Sequence, residues 1–183
     1  MIWWAAYLLL LAVLFVRVQS DEAAAARPPL RPEPGEPLRL IGTHHALFYA
    51  ILFGAPLEAT LRGGAAGGRV AGLALFASGV ALYRVAGRAL GDSLSPLVSA
   101  RLGGTLVTDG PYRHLQHPMY LGQAAIAVGA PLTLGCRWVL WLAIPAVALL
   151  VVRAFLEDAA LARTYPEHAR WAAKTKRVVP FVF

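Results

Sequence analysis

Five apolar stretches, at about residues 2–18, 41–60, 68–88, 118–135 and 137–157, occupy more than half of this 183-residue chain. Each approaches the ~20 residues that a helix needs to cross a bilayer at about 1.5 Å of rise per residue. Hydrocarbon offers backbone amides no partner, so a segment lying in it must satisfy its own hydrogen bonds. The expected fold is therefore an all-α integral membrane protein of about five transmembrane helices, in one domain over residues 1–183. Hydrophobic residues make up 58% of the chain, where soluble domains run nearer 45–50%. The first run, IWWAAYLLLLAVLFV, lacks a basic flank and a following small-x-small cleavage site. It reads as a retained helix and not as a signal peptide. The third run contains GLALFASGVAL, whose small residues let helices approach closely. Only Gly135, Cys136 and Arg137 join the fourth run to the fifth. So short a link requires an antiparallel helical hairpin.

The connections carry the charge. Residues 19–40 include the proline-rich RPPLRPEPGEP, expected to be extended. From about residue 158 the chain is polar and basic with aromatic punctuation, expected as an amphipathic helix on the membrane surface. With five spans and the C-terminus inside, Arg62, Arg69 and Arg137 fall outside, and the other fourteen of the seventeen Lys and Arg residues fall inside. That asymmetry sets the orientation. It also gives the net charge of +7 a partner in the anionic inner leaflet, without calling on nucleic acid. The single cysteine, Cys136, excludes an intrachain disulfide and reads as structural. No histidines and cysteines stand at zinc spacing, so no metal is expected.

Two polar clusters interrupt the apolar pattern. Tyr112, Arg113, His114, His117 and Tyr120 precede or open the fourth helix; Arg153, Glu157 and Asp158 close the fifth. The hairpin makes them neighbours on the inner side. Arg153 and Glu157, four apart, share a helical face. Ionisable groups at membrane depth are functional candidates, and the plainer reading is an interfacial Arg153–Glu157 salt bridge. His44 and His45 read as packed or interfacial, and Glu58 as facing water.

Read in order, LVTDGPYRHLQHPMYLG, the hairpin, RAFLED and the ending KRVVPF resemble the isoprenylcysteine carboxyl methyltransferase family, integral membrane enzymes that use S-adenosylmethionine. Gly110, Pro111, Tyr112, Arg113, His117, Pro118, Tyr120 and Gly122 match its first block. Glu157 matches the first residue of its acidic pair, Asp158 replaces the second, and Arg177, Pro180 and Phe181 match its ending. The resemblance covers residues 84–183, which would be the catalytic half, with 1–83 supplying the first spanning helices. It departs at Gln116, where the family has Arg, and in YPEHARW (165–171), where Pro166 replaces a Gly.

The resemblance implies S-adenosylmethionine bound by Leu106, Tyr112, His117, Pro118, Tyr120, Glu157 and Asp158. Carboxylates suit its hydroxyl or ammonium groups, and aromatic faces suit adenine and the sulfonium. Arg153 and Glu157 are the catalytic candidates. Arg153 would hold a carboxylate acceptor, and Glu157 would deprotonate an amine acceptor. The tail from 160 would fold over the cofactor as a lid. The acceptor would be a lipidic or membrane-associated small molecule, and the composition suggests a prokaryotic inner membrane with the site on the cytoplasmic face. Two rivals remain: a membrane NADPH-dependent reductase related to the sterol reductases, which also carry an LVTDG-like block, and a non-catalytic relative.

Overall fold

The computed structural model of the protein describes residues 1–25, 36–99 and 104–178. All five apolar runs become helices: α1 (Ile2–Ala25), α2 (Leu38–Arg62), α3 (Arg69–Leu90), α4 (Pro118–Leu134) and α5 (Ala143–Thr164). A short α6 (His168–Ala172) follows, and no strand occurs among the described residues. Three helical stretches are long and apolar enough to cross a membrane: Leu38–Arg62, Arg69–Ser93 and Val139–Thr164. Of the about five spans expected, the other two helices are shorter in their apolar stretches. The apolar part of α1 is Ile2–Val16. The 17 residues of α4 reach only about 25 Å at the usual rise. Instead α4 is the central helix, buried around its circumference and packed against α1, α2, α3 and α5. That is the environment its all-round apolar sequence calls for.

Glycine sets how close α3 comes to α4. A Cβ at Gly129 would stand 2.4 Å from the Phe76 amide nitrogen, and one at Gly79 would stand 2.8 Å from the Gly122 carbonyl oxygen. Gly72 and Gly122 face equally tight backbone. Four small residues on two helices therefore let backbone meet backbone, as interfaces within membranes favour.

Side chains satisfy backbone groups that the helices leave open. Pro56 lies inside α2 and has no N–H to give to the carbonyl of Leu52. The buried Tyr7 hydroxyl of α1 donates to that carbonyl at 2.5 Å. Glu58 was expected to face water. Instead its carboxylate accepts from the amides of Arg137, Trp138 and Val139, at 2.8, 3.1 and 2.7 Å. It thereby caps the start of the last spanning segment, where the helix dipole favours an anion. The hairpin link is longer than the three residues expected: Gly135, at φ 74°, ends α4 in the left-handed region, and a 3-10 turn at Val139–Leu142 precedes α5.

The tail differs from expectation. α5 runs to Thr164, beyond the expected end near 157, and only the five-residue α6 follows it. The chain then turns back onto the segment before α4. Gln116 and His117 amides donate to the Lys176 and Arg177 carbonyls at 2.7 and 2.9 Å, and the Lys176 amide donates to His114 at 3.0 Å. The Gln116 side chain donates to the Ala172 and Thr175 carbonyls, and the Trp171 indole to the Tyr112 carbonyl. Pro180, Phe181 and most of the proline-rich segment lie outside the described residues.

Two outcomes are expected. Gly129→Leu drives a side chain into the Phe76 backbone and lowers resistance to SDS unfolding by about 1–3 kcal/mol. Gly42→Ala, with nothing within 4 Å, leaves it equal or raises it. Gln116→Ala removes both side-chain donors, so amide hydrogen exchange at residues 172–176 accelerates while exchange in α4 does not.

Candidate active site

The hairpin and the returning tail enclose a cavity of about 460 Å³, within the size range of small-molecule sites. Its tail side is lined by Leu106, Tyr112, Gln116, His117, Tyr165 and Trp171. Its middle is lined by Tyr83, Met119, Tyr120, Gln123, Arg153 and Glu157. On the opposite side it reaches Leu14 of α1, and His45, Phe48 and Tyr49 of α2.

Proline opens α4 at its first position, where a missing N–H costs nothing. His117 is thereby placed as the cap residue, with Tyr120 one turn in. The two rings stack at 5.1 Å with 6° between their planes. The Tyr120 hydroxyl donates to Glu157. This is the one hydrogen bond that Glu157 makes among the described residues, with His117 Nδ1 3.9 Å from the same carboxylate.

Asp158 has a different job. Adjacent helical residues point about 100° apart, so Glu157 faces the cavity while Asp158 faces the tail. Asp158 is 8% exposed. Its Oδ1 lies 2.8 Å from His117 Nε2, and its Oδ2 accepts from Arg177 Nε at 2.5 Å. The Arg177 guanidinium also lies over the Phe155 ring at 4.3 Å. His117 thus pairs through Nε2 with Asp158 and turns Nδ1 towards Glu157.

The expected salt bridge between Arg153 and Glu157 is not formed. Arg153, 5% exposed, donates from Nη2 to the Pro96 carbonyl at 2.6 Å and lies 5.4 Å from the Tyr120 ring centroid. Its Nε has no partner among the described residues. The loop that carries Pro96 is held from its other side by Glu36, whose carboxylate accepts from the Val98 and Ser99 amides.

Among the sequence candidates, Leu106, Tyr112, His117, Tyr120, Arg153 and Glu157 line the cavity. Pro118 and Asp158 do not: Pro118 starts the helix and Asp158 holds His117 from behind. Arg113 and His114 are exposed and outside it. The residues missed include His45, Phe48 and Tyr49 on α2, Leu14 on α1, Tyr83 on α3, and Leu94, Pro96 and Val98 in the loop after α3, none of them marked by a motif. On the tail side, burial and the nearby Glu157 charge hold the Tyr112 phenol protonated. Burial also lowers the basicity of His168, with Asp158 opposing and His117 adding to the effect. Among the described residues no group of three His, Cys, Asp or Glu side chains forms a metal site.

A carboxylate paired with no Lys or Arg among the described residues, set among aromatic faces, accommodates a cationic ligand, and buried guanidinium donors accommodate an anionic group. No curated protein matches the chain. The sequence profile of the phospholipid methyltransferase family matches residues 68–168, more than half of the protein. That stretch includes α3, both polar clusters, the hairpin and the whole of α5. It implies methyltransferase activity in a membrane setting, in keeping with the resemblance read from the sequence. The chain belongs to the phospholipid methyltransferase family.

Proposed function

We propose that the protein transfers a methyl group from S-adenosylmethionine to a lipidic acceptor that enters the cavity from the bilayer, with a phospholipid amine as the favoured acceptor. The observation that carries this reading is Glu157: a carboxylate on the cavity wall, hydrogen-bonded to Tyr120 and paired with no Lys or Arg among the described residues. Such a group is stabilised by a cation, and both a sulfonium donor and an ammonium acceptor provide one.

The donor set fits the cofactor. His117, Tyr120, Glu157, Tyr112 and Leu106 would hold it on the tail side, with Trp171 and Tyr165 closing over it. S-adenosylmethionine, when bound, supplies the electrophilic methyl carbon. The protein binds, orients and excludes water. Asp158, fixed by Arg177, sets the His117 ring and so the shape of the cradle. Glu157 takes the proton that an ammonium acceptor must shed before its nitrogen lone pair can attack. The Tyr120 hydroxyl holds that carboxylate in position. Burial of Tyr120 and Tyr112 keeps the reacting centre dry, which strengthens each electrostatic contact there.

An amine acceptor is favoured over a carboxylate one because the Glu157 carboxylate on the cavity wall suits an ammonium, while Arg153 stands a helical turn away from it. The Ala-, Gly-, Arg- and Pro-rich composition supports a prokaryotic inner membrane as its setting.

Calorimetry of the purified protein in detergent with S-adenosylhomocysteine, beside NADPH, tests this reading. Micromolar binding of the former is expected, weakened at least tenfold by Glu157→Gln and by His117→Ala, about 1.4 kcal/mol each. Asp158→Asn, which keeps a hydrogen-bonding group behind His117, costs less than His117→Ala. Binding of NADPH in place of S-adenosylhomocysteine contradicts the proposal and promotes the reductase.

A further inference from the structure

α2 carries a polar pair for which the methyl-transfer chemistry described above has no use. His45 lines the cavity on the side away from the tail, together with Phe48 and Tyr49. His44, its neighbour, is fully buried, and neither of its ring nitrogens has a hydrogen-bond partner among the described residues. The two rings lie 5.5 Å apart, and His44 is within electrostatic reach of both His45 and Arg153. Arg153 faces the same cavity from α5, its buried Nε without a partner among the described residues.

Buried nitrogens are almost always satisfied. Leaving the Arg153 Nε open on the cavity wall, and both nitrogens of His44 open beside His45, is costly, and more so at bilayer depth. Phe48, stacked on His44 at 6.1 Å, satisfies neither nitrogen of that ring. An anionic oxygen in the cavity can meet the Arg153 Nε. A guanidinium presents donors in a fork that matches phosphate, and an imidazole donates through either ring nitrogen.

We propose that Arg153, His45 and His44 form an anion subsite that holds the phosphate of the acceptor, separate from the carboxylate that meets its amine. Arg153 and His45 contact the phosphate, and His44 positions them. The spacing agrees with this division. Arg153 and Glu157 lie one helical turn apart, about 5 Å of rise, and a phosphate and an amine joined by a two-carbon bridge span a comparable distance. Engagement of the phosphate also competes with the Pro96 carbonyl for Arg153, and so loosens the loop that walls the cavity.

The subsite rests on the methyltransferase reading for the identity of its ligand but is tested by binding alone. The full chain in maltoside detergent is titrated calorimetrically with dioctanoyl phosphatidylethanolamine, with dioctanoylglycerol and with inorganic phosphate. S-adenosylhomocysteine serves as a separate probe of the tail side. The phospholipid is expected to bind at least tenfold more tightly than the diacylglycerol. His45→Gln and His44→Phe reduce that preference to within about threefold while S-adenosylhomocysteine still binds. His44→Phe fills the buried volume with a ring, so a merely packed histidine would lose nothing by it. Competition by inorganic phosphate at similar affinity would assign the same subsite to the free ion; absence of competition would assign it to the headgroup. Equal binding of phospholipid and diacylglycerol, or a preference that survives both substitutions, overturns the proposal. Loss of S-adenosylhomocysteine binding in the unaltered protein would instead remove the methyltransferase reading.

Discussion

A single buried carboxylate joins the three parts of the protein on which the site depends. Asp158 belongs to α5, accepts from Arg177 of the returning tail and pairs with His117 at the start of α4. Removing one partner from such a group leaves a buried charge uncompensated, one of the larger penalties available to a point substitution. The backbone ladder between residues 114–117 and 176–177, and the Gln116 side chain, reinforce the same joint. The tail is therefore part of the cavity wall by construction, and the position of His117 is inseparable from it.

The depth of the site follows from the glycine seam. Because α3 and α4 meet backbone to backbone, α4 can be short and still lie at the centre of the bundle. Its N-terminal end, with His117 and Tyr120, then sits beside the end of α5 and below the loops that precede it. Tyr7 on the Leu52 carbonyl and Glu58 on the Arg137–Val139 amides show the same economy elsewhere. Both side chains meet a backbone group that the helix cannot satisfy itself.

Much of this was legible in the sequence because it follows from topology. A short hairpin link lays α4 and α5 antiparallel, so the meeting of His117 and Tyr120 with Glu157 could be anticipated from residue order alone. The division of labour between Glu157 and Asp158 was less legible, although the turn between adjacent helical residues implies it. Other features depend on where loops go. Arg153 looked like a partner for Glu157 by spacing, but the Pro96 carbonyl claims it. Gln116 looked like a defect in the family pattern; it is the side chain that clasps Ala172 and Thr175. The part played by α2 was hidden, since two histidines on an apolar helix carry no spacing signal until the helix is seen against the cavity.

The most direct measurement of the central claim is transfer of tritium from S-adenosyl-[methyl-³H]methionine into the organic phase when the purified protein is incubated with a phospholipid extract. The unaltered chain should label an amine-bearing phospholipid. Glu157→Gln, still folded by its SDS-unfolding midpoint, should label it at least a hundredfold more slowly. Undiminished labelling by Glu157→Gln, or no labelling of lipid by an unaltered chain that binds S-adenosylhomocysteine, would contradict the assignment of this cavity to lipid methylation.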